Sequence, residues 1–151
     1  MCYTLYLATR DEQPLLSTPA ISVRAVEPDA DSVRQWFSLP VVRAIDAHTT
    51  GCSCGFRYLI ANEPVEYWEG MFDTGGTEDE DRVSVQALVR LIREHVETSG
   101  PVEMYALWND EVDERPIGAI ELQIDALDPE KFFFVEGFFY RVHGEPSLGR
   151  R

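Results

Sequence analysis

The chain has 151 residues, of which 27 are acidic and 13 are basic, so its formal net charge at pH 7 is −14. Hydrophobic residues make up 44% and charged residues 26%, which are ordinary values for a globular protein. Negative charge of this size repels phosphate backbones and anionic membranes, so the sequence predicts binding to neither nucleic acid nor membrane. A basic protein would suit this surface as a partner. Alternatively, the negative charge serves only to keep the protein soluble.

The sequence predicts a soluble cytoplasmic protein. No hydrophobic run approaches the roughly 20 residues of a membrane-spanning helix, and the N-terminal residues lack the basic region and long apolar core of a secretory signal. We expect a single domain over residues 1–151, with a tail that is frayed from about residue 144. Three cysteines, an odd number, fit poorly with a disulfide framework, which the reducing cytoplasm also disfavours.

Alternating and β-branched patterns predict four strands in the first half of the chain. The strands cover residues 1–8, 20–26, 41–47 and 56–61. Between the second and the third, Pro28 and the residues after it predict a short helix that Pro40 ends. Asp29 or Asp31 is its expected N-cap.

The strongest pattern in the chain predicts an amphipathic helix from about Glu78 to Glu97. Thr77 and Glu80 match a capping box, and Ser99-Gly100-Pro101 is a stop signal. Apolar residues recur at helical spacing and form a stripe: Val85, Leu88, Val89, Ile92 and Val96. We interpret His95, near the end of this helix, as an imidazolium that suits the helix dipole.

The C-terminal third predicts a β-meander with strands at 102–108, 117–125 and 132–143, the last with a bulge at Gly137. The middle strand alternates, with Ile120, Leu122 and Ile124 inward, which indicates one buried face, one wet face and antiparallel pairing. The expected fold is therefore α+β, a mostly antiparallel sheet of six or seven strands with one long and one short helix. An α/β arrangement with parallel crossovers is the alternative.

Unusual chemistry is concentrated in residues 48–56, which read HTTGCSCGF. The two cysteines of this loop are separated by one residue, and Gly51 and Gly55 flank them. Because glycine takes positive φ readily, the backbone can curl there and point both sulfurs to one side.

Thiolates and imidazoles are the ligands that zinc and iron prefer, and tetrahedral zinc needs four. The loop offers three, and a neighbouring N-terminal strand would offer the fourth. The sequence therefore predicts a zinc-type metal site, with Cys2, His48, Cys52 and Cys54 as its ligands. The spacing within the pair is shorter than in most structural zinc sites, which leaves other interpretations open.

Two other functions fit the same residues. Cys52 or Cys54 could be the reactive thiolate of a redox or thiol-dependent enzyme, with His48 as base and Cys2 as resolving thiol. Alternatively the domain is a non-catalytic module whose acidic surface meets a basic partner, and the loop cysteines are small buried residues in a turn.

The block Met1-Cys2-Tyr3-Thr4-Leu5-Tyr6, together with H-x-x-G-C-x-C-G-F at residues 48–56, resembles a bacterial family of small proteins with no assigned activity. The resemblance covers about 15 residues. It implies that the two blocks belong to one site, and it implies no reaction. We accordingly expect Cys2 to lie within one site with the loop at residues 48–55.

Overall fold

The structure is a computed structural model that describes residues 3–12, 15, 17–26, 32–48, 53–56, 77–108, 114–130 and 134–144. Within these ranges the fold is α+β, with one long helix packed on a six-stranded, mostly antiparallel sheet. The strand predicted at 56–61 lies outside the described residues beyond Phe56, as does the tail from residue 145 onward.

The strands are β1 (Tyr3–Thr9), β2 (Ile21–Ala25), β3 (Val41–Ala47), β4 (Val102–Trp108), β5 (Gly118–Gln123) and β6 (Phe138–His143). They are ordered β2-β3-β1-β4-β6-β5 across the sheet. Every neighbouring pair is antiparallel except β5 and β6, which are parallel. The expected class and strand number are therefore confirmed for the described part of the chain.

The predicted meander in the C-terminal third is wrong. β6 lies between β4 and β5, and β5 runs parallel to it at the edge of the sheet. β5 does alternate as predicted, with Ile120 and Leu122 packed toward the core. An edge strand with one covered face shows the same alternation whether its neighbour is parallel or antiparallel. The alternation of β5 therefore could not predict the direction of its pairing. β6 is also shorter than predicted, because Gly137 (φ 84°) belongs to a turn that precedes it.

The long helix α1 spans Glu78–Ser99 and confirms the strongest sequence prediction. The capping box is formed, since Glu80 N–H donates to Thr77 Oγ1 while Thr77 N–H donates to the Glu80 carboxylate. The apolar stripe is buried against the sheet, with Leu88 and Ile92 almost fully enclosed. No helix in the described part of the chain is long and apolar enough to cross a membrane.

A second apolar layer covers the sheet face opposite α1. The short helix of the prediction is a 3₁₀ turn at Ser32–Trp36, so that part of the prediction is only partly confirmed. Its Val33 and Trp36, with the following Phe37, pack on the sheet side chains Tyr6, Ala8, Ala44, Tyr105, Leu107 and Phe139. Five residues are too few for a stable α-helix alone, so packing of these side chains decides the backbone conformation.

Glu103 of β4 fastens this second layer to the sheet. Its buried carboxylate accepts hydrogen bonds from Ser38 N (2.9 Å), Ser38 Oγ (2.6 Å) and Leu39 N (2.8 Å). It also accepts one from Arg141 Nη2 of β6 (2.9 Å). Burial acts to raise the pKa of Glu103, but the bonds from Ser38, Arg141 and Leu39 outweigh it, and the pKa is lowered.

His95 does not have the environment that the sequence suggested. It lies on α1, but its side chain is buried, and Nε2 has no hydrogen-bond partner among the described residues. Burial lowers the pKa of His95, and the charge of Arg43 on β3 lowers it further, while Asp11 acts in the opposite direction. The interpretation of His95 as an imidazolium stabilised by the helix dipole is therefore wrong.

Because its pKa is lowered on folding, His95 should make the protein less stable in mild acid. The unfolded chain takes up the proton first, so the stability is fully present above pH 6.5 and is lost as the pH falls below 6.5 toward the folded pKa. The free energy of unfolding, measured by urea titration between about pH 7.5 and 5, should fall less steeply in His95→Gln. His143→Gln, at a more exposed histidine, is the control. Identical slopes in His95→Gln and wild type would contradict this prediction.

Candidate functional site

The candidate site begins where β3 ends. His48 follows Ala47 directly and has a φ of 61°, the left-handed conformation that a non-glycine residue adopts at a cost of about 1–3 kcal/mol. Its backbone N–H donates to Ala20 O (2.9 Å), which continues the contact between β2 and β3 by one residue. The turn directs the His48 side chain toward the first turn of α1, where Asp81 lies.

The imidazole of His48 is paired with the carboxylate of Asp81. His48 Nε2 lies 2.7 Å from Asp81 Oδ1, and the side chains are 14% and 0% exposed respectively. Asp81 is in the first turn of α1, where the positive end of the helix dipole favours an anion. The pair therefore joins the end of β3 to the beginning of the helix.

Ser84, one turn further along α1, lies at the other side of the His48 imidazole. Its buried Oγ donates to Ala20 O (2.7 Å) and lies 3.4 Å from His48 Nδ1. A hydroxyl has one proton, and a carbonyl can only accept, so Ser84 has no proton left to donate to Nδ1. The distance to Nδ1 is also long for a hydrogen bond.

Gly55 allows the loop to pack against the same imidazole. A Cβ at this position would lie 2.6 Å from Ala47 Cβ and 2.7 Å from His48 Nε2, so any other residue would force these neighbours or the loop to shift. Among the described glycines the positive φ values belong to Gly100 and Gly137. Gly55 is thus required because a side chain has no room at this position. The expectation that Gly55 supplies a positive φ is wrong.

Ser53 joins the loop to the N-terminal strand. It begins a 3₁₀ turn, Ser53–Gly55, and its buried Oγ accepts from Leu5 N (2.9 Å) and donates to Ile45 O (2.6 Å). Leu5 and Ile45 are the last pair of the β1–β3 ladder. The Ser53 hydroxyl therefore bridges β1 and β3 at the end of their ladder, and it holds the loop against these two strands.

Two of the four predicted ligands are in the described part of the chain. His48 lies at the end of β3, and Cys54 is half-buried in the turn that starts at Ser53. Cys2 and Cys52 lie outside the described residues. Among the described residues, no three His, Cys, Asp or Glu side chains are close enough to hold a metal ion. Since half of the ligand set is outside that part, the four-ligand site stays a prediction.

Asp81 is a residue of the candidate site that was not predicted. It precedes Val85 by four residues and Leu88 by seven, which places it on the face of the apolar stripe. An acidic residue on that face must find a buried partner, and this is the signal that could have identified it. Ser53, which sits between the two cysteines, carries no comparable signal.

Comparisons with family models, with curated proteins and with solved structures found no match for this chain. The resemblance of the two cysteine-containing blocks to a bacterial family accordingly stays a prediction.

Proposed function

We propose that the protein binds a zinc-type metal ion through the N-terminal block and the loop, with Cys2, His48, Cys52 and Cys54 as ligands. The observation that carries this proposal is the hydrogen bond from Leu5 N–H to Ser53 Oγ (2.9 Å). Cys2 is three residues before Leu5, a stretch of chain that spans at most about 10 Å. Leu5 belongs to the N-terminal block and Ser53 stands between the two loop cysteines in the sequence, so this contact supports a shared site for the two blocks.

The backbone at His48 also supports a functional loop. A left-handed histidine costs energy that the surroundings must supply, and such residues concentrate at binding and catalytic sites. Here the contacts with Ala20, Asp81 and Gly55 hold the strained residue in place. A soft ligand held rigidly beside a C-x-C pair favours a metal site over a simple turn.

Thiol chemistry at Cys52 or Cys54 is the second proposal, favoured by the packing of Gly55 on the imidazole. Gly55 follows Cys54 directly, so the backbone beside this thiol contacts His48. A nearby imidazole can act as base or counter-ion for a thiolate. The same experiment separates the two proposals.

Metal analysis of untagged protein, purified under reducing conditions and loaded with Zn²⁺, should give about one zinc per chain. Replacing Cys54 with serine should weaken zinc binding at least tenfold in competition with a chelating dye, since serine is a poor zinc ligand. His143→Gln is the control, because His143 lies on β6 and pairs with Glu121 of β5. Its zinc content should equal that of the wild type.

The metal proposal is wrong if the wild type retains no zinc, or if Cys52→Ser and Cys54→Ser retain as much as wild type. Rapid alkylation of Cys52 or Cys54 near neutral pH in zinc-free protein would then support thiol chemistry. Slow alkylation together with no zinc would leave the loop with a structural role and favour the acidic interaction module.

A further inference from the structure

We propose that His95 is a pH-sensitive contact between α1 and the sheet. Protonation of its imidazole in mild acid releases the C-terminal half of the helix, residues 91–99, and leaves the N-terminal half in place. The inference does not depend on the proposed metal or thiol chemistry.

His95 occupies a position that suits the neutral ring and opposes the charged one. The residue is 6% exposed, and Nε2 is buried without a hydrogen-bond partner among the described residues. An imidazolium carries an N–H on both ring nitrogens, so it requires an acceptor or water at Nε2. Burying a charged group without such a partner costs far more than burying the neutral ring.

The charges around His95 add to this effect. Arg43 of β3 is buried and donates from Nη1 to Thr9 Oγ1 (3.1 Å), and its charge opposes a second cation nearby. Asp11, which follows β1, attracts a cation at His95, and Glu12 interacts with Arg43. Burial and the charge of Arg43 outweigh Asp11, so the pKa of His95 is lowered.

A groove beside His95 offers the charged ring a route to water. It has a volume of about 600 Å³ and lies between α1 and the chain that precedes β2, where His95, Leu15, Leu91 and Thr98 are among the residues that line it. Glu94 lines the same groove and is exposed. A small displacement of the C-terminal half of α1 would therefore hydrate the imidazolium and bring it near a carboxylate.

The N-terminal half of α1 is tied by polar contacts to the end of β3 and to the chain before β2. Asp81 is paired with His48 (2.7 Å), and Ser84 Oγ donates to Ala20 O (2.7 Å). The capping box also fixes the first turn of the helix. These bonds do not involve His95, so they should keep this half in place when the His95 imidazole is protonated.

The C-terminal half is held mainly by apolar burial. Ile92 and Val96 are buried in the core between α1 and the sheet. Among the described residues, the side-chain hydrogen bond from this half to another part of the chain runs from Arg93 Nη2 to Leu127 O (3.1 Å). Arg93 is exposed, so water competes for this bond. The cost of a buried imidazolium therefore acts on the half of the helix that has the fewest polar ties, and such regions open locally at the lowest free energy.

The sign and the size of the effect follow from proton linkage. In the opened state His95 regains its ordinary pKa of 6.5, which is higher than its pKa in the closed state. Protons therefore bind the opened state first, so opening becomes more favourable as the pH falls below 6.5 toward the closed-state pKa. One proton changes the opening equilibrium by at most about tenfold per pH unit.

Amide hydrogen exchange, measured residue by residue by NMR between about pH 7.5 and 5, tests the inference. After correction for the intrinsic pH dependence of exchange, protection of the amides of residues 91–99 should fall below pH 6.5 by up to about tenfold per pH unit. Protection of residues 82–89 should change clearly less. His95→Gln should abolish this difference between the two halves, whereas His143→Gln, at a more exposed histidine on β6, should retain it.

Protection that does not change with pH would overturn the inference. An equal loss in both halves would also overturn it, because the whole chain would then be unfolding, and so would an unchanged pH dependence in His95→Gln. If His95→Gln does not fold, the wild-type imidazole decides. NMR titration of its ring protons should give a pKa below 6.5, and a value of 6.5 or higher would contradict the proposed contact.

Discussion

Replacing Glu103 with alanine should lower the free energy of unfolding by about 2–5 kcal/mol, since each buried donor left unpaired costs about 1–3 kcal/mol. The carboxylate is enclosed between the sheet and the layer that contains the 3₁₀ turn, and it accepts from the backbone N–H groups of Ser38 and Leu39. Alanine would leave both of these donors, and the guanidinium of Arg141, without this acceptor. Arg141 is partly exposed and can turn to water, so the backbone groups carry most of the cost.

Urea titration at pH 7 measures this loss, with Glu121→Ala as the control. Glu121 lies on the same sheet face and pairs with His143, but it is mostly exposed, so its removal should cost at most about 1 kcal/mol. Because the pKa of Glu103 is lowered on folding, its contribution should also disappear as the pH falls below 4.5 toward the folded pKa. Equal losses for the two variants would contradict the role assigned to Glu103.

Local signals predicted the individual elements well. The helix α1 combines a capping box, an apolar stripe and a glycine stop, and all three act within a few residues of the chain. β3 and β4 have the predicted bounds, since buried β-branched and apolar runs with clear breaks on both sides leave few alternatives. Where residues close in sequence decide the conformation, the sequence was sufficient to predict the element.

The order of strands depends on contacts between distant residues, and here the prediction failed. β6 inserts between β4 and β5, and one of its anchors is the long-range bond between Arg141 and Glu103, 38 positions apart. A charged residue in a strand pattern is ordinarily expected on the wet face, so nothing local indicated that Glu103 is buried. The alternating pattern of β5 likewise carried no sign that the strand pairs in parallel with β6.

The sequence singled out residue types of the candidate site, and it did not indicate the contacts that support them. His48 and Cys54 stood out because histidine, cysteine and glycine rarely cluster in an ordinary turn. The contacts of His48 with Asp81 and Ser84 join residues 33 and 36 positions apart, which no motif spans. His95 was misread because proximity to a helix end is a local property, whereas its burial comes from the sheet beneath.

Replacing Leu88 with alanine should cost about 2–5 kcal/mol of unfolding free energy. The Leu88 side chain is 1% exposed and lies in the core between α1 and the sheet, so alanine removes buried surface and leaves a cavity that rigid neighbours cannot fill. Leu91→Ala makes the same chemical change one turn away at a partly buried position and should cost clearly less. Urea titration of both variants measures the difference. A loss below about 1 kcal/mol at Leu88, or an equal loss at Leu91, would mean that α1 presents a different face to the sheet.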